Sequence, residues 1–71
     1  MKIPNLREDI ERELVKYKET EGMSGITLSD EQIEQLRQWY RRNHQMSFDK
    51  NCDDCIRNTI NRIINLYAKN G

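Results

Sequence analysis

Three groups of residues in this chain are of types that carry chemistry. The first is Cys52-Asp53-Asp54-Cys55, a C-x-x-C pair. At the first turn of a helix, free amides lower a thiol pKa, which is how a redox dithiol is activated. Two features oppose that reading. Asp53 and Asp54 place negative charge beside the sulfurs, and no βαβ frame of the thioredoxin kind can be built around the pair. Adding His44 gives H-x7-C-x2-C, three ligands of the kind zinc takes. A closed structural site takes four, so Asp49 or a partner residue would have to complete it. The favoured expectation is plainer: Cys52 and Cys55 are small apolar side chains on a buried helix face, and neither metal nor cofactor is expected.

The second group is Trp39-Tyr40-Arg41-Arg42. Aromatic rings stack bases and arginines hold phosphates, so Arg37, Arg41, Arg42 and Arg57 define a candidate nucleic-acid surface. Yet Trp39 and Tyr40 share the apolar arc of their helix, and arginines suit the negative end of its dipole. The third group is defined by absence. His44 is the only histidine, and Ser24, Ser29 and Ser47 read as turn or cap residues. The carboxylates read as solvated, and three glycines, one of them terminal, make no phosphate cradle. An enzyme acting on a small-molecule substrate is not expected.

The 71 residues leave room for one small domain. Twelve basic and twelve acidic side chains cancel, so no long-range field steers an anionic partner. With 35% hydrophobic residues, no stretch approaches the roughly 20 needed to span a membrane. Residues 1–22 hold no apolar core of a secretory signal. Two cysteines close together make a poor disulfide framework, so a reducing, cytoplasmic setting is expected.

Hydrophobic period then places the elements. Ile3, Leu6, Ile10, Leu14 and Tyr17 form one stripe of a first helix within residues 1–22, capped by Asn5 and Glu8 and stopped at Gly22. Ser29 and Gln32 form a capping box for a second helix, whose arc is Ile33, Leu36, Trp39 and Tyr40. Met46 and Phe48 anchor the next loop, and Asp49 or Asn51 caps a third helix. Its apolar half holds Cys52, Cys55, Ile56, Thr59, Ile60, Ile63, Ile64, Leu66 and Tyr67. No segment alternates at period two. The expectation is an all-α, small three-helix bundle, in which residues 23–71 form a helical hairpin core. The first helix, hinged at Gly22 and Gly25, is able to swing out as a docking arm.

The stretch from Leu28 to Arg62 resembles short helical proteins encoded by some bacteriophages. The likeness rests on the acidic capped helix Leu28-Ser29-Asp30-Glu31-Gln32, followed by Cys52-Asp53-Asp54-Cys55-Ile56-Arg57. It covers about half the chain and implies a virion component or host-interaction factor in the virion or host cytoplasm, with no activity to carry over. The functional expectation is a non-enzymatic adaptor that binds a protein or a second copy of itself. Its anchors would be Tyr17, Leu36, Trp39, Tyr40, Ile64 and Tyr67. The alternative is a nucleic-acid-binding module using the four arginines.

Overall fold

The computed structural model describes residues 2–23, 25 and 28–68. Three helices follow one another: α1 over Glu8–Glu19, α2 over Asp30–His44 and α3 over Asp53–Ala68. They form an all-α three-helix bundle measuring 26 × 24 × 19 Å, with no strand among the described residues.

The chain begins as a leader rather than as helix. Ile3 is buried, and a turn at Pro4 and Asn5 redirects the backbone, with Asn5 at φ 66°. The expected Asn5–Glu8 cap is therefore not formed. Helix α1 starts after Arg7, whose side chain makes no capping bond. Tertiary bonds hold the leader instead. The Trp39 indole N–H donates to the Pro4 carbonyl at 3.0 Å, and the Ile3 amide donates to the Glu11 carboxylate.

At the far end of α1 the chain leaves through two crossed bonds. Gly22 N–H reaches the Tyr17 carbonyl at 2.9 Å and Glu21 N–H reaches Lys18 at 3.1 Å. This is a Schellman turn, so the Gly22 stop holds, with Glu21 also left-handed at φ 54°. Ser24 and Ile26, part of the following linker, lie outside the described residues; Leu28 packs against the core.

Helix α2 opens with the expected capping box. Ser29 Oγ accepts from the Gln32 amide at 3.2 Å, and Gln32 Oε1 accepts from the Ser29 amide at 2.9 Å. Gln45 ends it in a left-handed conformation. Helix α3 differs from expectation at its start. Asp49 accepts from the Asn51 amide in a local turn, and Cys52 stands in the capping position, its carbonyl accepting from Ile56 N–H at 3.0 Å.

One apolar core draws on every part. The leader gives Ile3, α1 gives Ile10 and Leu14, and α2 gives Leu36, Trp39 and Tyr40. Phe48 comes from the loop, and α3 adds Ile56, Ile60, Ile63 and Ile64. Thr59 is buried among them because its hydroxyl donates to the Cys55 carbonyl at 2.8 Å. Two side chains expected to pack are exposed: Leu66, from the apolar half of α3, at 47%, and the loop anchor Met46 at 41%, although Met46 Sδ still accepts from the Tyr40 hydroxyl at 3.4 Å. Helix α1 packs closely on α3, with Ile10 and Leu14 fully covered, so the first helix is docked in this structure.

Candidate functional site

Cys52 and Cys55 are half-buried and joined as a disulfide, with Cα atoms 5.2 Å apart. The pair is therefore not two free apolar thiols, as the sequence suggested. A capping residue and the third residue of a helix face each other, so the helix itself brings the sulfurs together. Cys52 Sγ also accepts the Cys55 amide at 3.1 Å.

His44 lies elsewhere. Its Nε2 is 2.9 Å from the Tyr67 hydroxyl, and its ring meets Trp39 edge-on at 5.3 Å. Tyr67 is four turns along α3 from Cys52, roughly 22 Å at helical rise. The H-x7-C-x2-C spacing is thus not assembled into a common site. No group of three or more His, Cys, Asp or Glu able to hold a metal occurs among the described residues.

The four arginines also divide. Arg37 donates from Nε and Nη2, one edge of its guanidinium, to the two carboxylate oxygens of Glu34, at 3.2 and 2.7 Å. That hydrogen bond lowers the Glu34 pKa and raises that of Arg37. Arg57 lines a small cleft with Leu28 and Ile33 beside the start of α2. Arg41 and Arg42 are exposed at the other end, roughly 12 Å along the helix from Ile33. No continuous basic surface results.

The expected contact anchors are mostly interior. Leu36 is fully covered, Tyr40 is 2% exposed, and Trp39 and Ile64 are also buried. Tyr17 and Tyr67 are half-buried and packed against the same core. With the bundle closed, these side chains hold the fold and offer a partner little area.

A different feature is open. Between the leader and α2 runs a groove of about 460 Å³, lined by Asn5, Leu6, Arg7, Ile10, Gln35, Gln38, Trp39, Arg42 and Asn43. Its apolar residues are Leu6, Ile10 and Trp39; two arginines and four carboxamides complete the lining. Arg7 is shared with Asp9 at 3.1 Å and Glu31 at 3.6 Å. Arg42 makes no ion pair among the described residues, so it is the cation available to a ligand. Sequence reasoning placed Ile3 and Leu6 on a continuous helical stripe, and this hid the groove. The signal that pointed to it was Pro4 followed by Asn5, a pair suited to a chain reversal. Comparison with protein-family models, with curated proteins and with solved structures found no match to this chain.

Proposed function

We propose that this protein is a non-enzymatic binding module that receives an acidic segment of a partner protein in the groove between the leader and α2. The observation that carries this is the groove's make-up. An apolar floor that includes Trp39 is edged by unpaired Arg42, by Arg7 and by four carboxamides. A small apolar centre inside a polar rim is the usual anatomy of a protein contact. The carboxamides offer donors and acceptors to a peptide backbone, and Arg42 offers a planar fork to a carboxylate. The likeness to small phage-encoded helical proteins fits a module of this kind, in a virion or as a host-interaction factor.

This reading keeps the adaptor role and moves the contact from the buried arcs to the groove. Trp39 is the single tryptophan, so the chain carries its own reporter. Titration with a displayed library of acidic peptides should shift Trp39 emission. Arg42→Glu should weaken the selected peptides by about tenfold or more, while leaving helical content unchanged. Equal binding by Arg42→Glu, or selection of peptides without acidic residues, would exclude the groove. Retention on DNA or heparin that falls steeply with salt and is lost on replacing Arg41, Arg42 and Arg57 together would favour the nucleic-acid alternative.

A further inference from the structure

We propose that Cys52 and Cys55 form a reversible dithiol–disulfide site that exchanges with low-molecular-weight thiols, with Cys52 as the sulfur that carries the negative charge. The inference is independent of the groove, which shares no lining residue with the cysteines. It rests on three observations.

The disulfide joins residues only three apart in sequence. A ring this small removes little freedom from the unfolded chain, so its structural benefit is near the minimum for any disulfide. The core does not depend on it either, since the helix already sets both cysteines at its first turn. Second, the sulfurs are placed asymmetrically. Cys52 Sγ accepts the Cys55 amide at 3.1 Å and occupies the capping position of a 16-residue helix. An anion at that position gains a hydrogen bond and the positive end of the helix dipole. Third, Cys55 lines an open cleft of about 370 Å³ with Tyr40, Met46, Ser47, Phe48, Asn58 and Arg62 among its other walls. An incoming thiol therefore has a path to Cys55, and both cysteine residues are partly exposed.

The nearby charges do not reverse this. Asp53 and Asp54 lie in the same turn, Asp49 in the loop and Asp30 at the start of α2. Lys50, Arg57 and Arg62 are the cations around the same end. All are exposed and are weakened by solvent and salt, whereas the Cys55 amide is in direct contact with the sulfur.

Exchange then runs in two balanced steps. A thiolate enters the cleft and attacks Cys55 Sγ; the Cys52–Cys55 bond breaks, and Cys52 departs as a thiolate held by the Cys55 amide. A second thiolate attacks the sulfur of the first thiol in the mixed disulfide. This releases the small-molecule disulfide and leaves Cys55 as a thiolate, which takes a proton from water. Two thiols are oxidised and one protein disulfide is reduced, a two-electron transfer. In the reverse direction, Cys55 attacks the external disulfide, and the Cys52 thiolate then attacks Cys55 Sγ, closing the protein disulfide and expelling the remaining thiolate.

The oxidised full-length chain, incubated at neutral pH with millimolar glutathione and then alkylated, should show by mass the dithiol and a glutathione adduct while the helices stay folded. A disulfide that resists glutathione until the protein is unfolded would overturn the proposal. Two single-cysteine variants test the polarity. Cys55→Ser retains Cys52, Cys52→Ser retains Cys55 with serine as a good cap, and circular dichroism checks both folds. With 5,5′-dithiobis-(2-nitrobenzoate) below neutral pH, Cys52 should react about tenfold faster than Cys55. Equal rates, or a faster Cys55, would show that the capping position confers no thiolate character.

Discussion

Glu21 occupies a left-handed backbone position at the end of α1, where an L side chain is strained and glycine is not. Replacing Glu21 with Gly should therefore raise stability by about 1 kcal/mol, seen as a later urea midpoint at unchanged slope. The neighbouring position responds in the opposite sense. Gly22 has φ 85°, and a Cβ there would sit 3.4 Å from the Tyr17 hydroxyl, so Gly22→Ala should lower the midpoint. The sequence announces the stop through Gly22 because only glycine tolerates such angles freely. It does not reveal that Glu21 shares the turn, since nothing local distinguishes a glutamate in a helix from one just past its end. The cysteines show the same limit. C-x-x-C spacing admits metal, redox and buried readings alike, and the choice depends on what each sulfur touches.

Among the elements, two similar capping signals met different fates. Ser29-x-x-Gln32 forms its box because both bonds are local and nothing competes with them. Asn5-x-x-Glu8 obeys the same rule, yet the leader is pulled off the helical path by burial of Ile3 and by the Trp39–Pro4 bond. Local rules were legible; the tertiary override was not. Gln32 carries a further duty, because its Nε2 donates to Asp9 at 2.9 Å and so ties the start of α2 to α1. That makes Gln32→Glu an informative change. Glutamate is ordinarily equivalent in a capping box, but here it removes the donor and sets a second carboxylate against Asp9. A loss of stability is expected at neutral pH, read as an earlier urea midpoint. Adding Asp9→Asn restores a donor to face the introduced carboxylate, so the double variant should recover most of the loss. Additive losses in that cycle would mean that the two side chains do not meet.

At the scale of the whole molecule, charge holds the surface and apolar contact holds the interior, and the two respond to different stresses. The Asp9 pKa lies below its ordinary 3.8, chiefly through the Gln32 bond, and that of Glu34 below its ordinary 4.5, chiefly through Arg37. A carboxylate with a lowered folded pKa adds stability above its unfolded value, and that stability is lost as pH falls through the folded value. Thermal stability should hold from neutrality to about pH 5 and decline below it. Glu34→Gln should flatten part of that decline; both carboxylates face water, so the effect is modest. The leader tests the interior. Three-helix topology and the face of α3 were legible from period alone, whereas the leader's place was not, because so short a segment has too few turns to show a period. In the structure Ile3 is 3% exposed and sits in one core with side chains from all three helices. A chain of this length carries only about 3–5 kcal/mol of net core stability. Ile3→Ala, at about 2–4 kcal/mol, should therefore remove much of the margin. It should also shift Trp39 emission to the red before global unfolding, since the leader that covers the indole is released first. Unchanged stability with a blue-shifted Trp39 would mean that the three helices close the core without the leader, and that the groove beside it is not a fixed part of the fold.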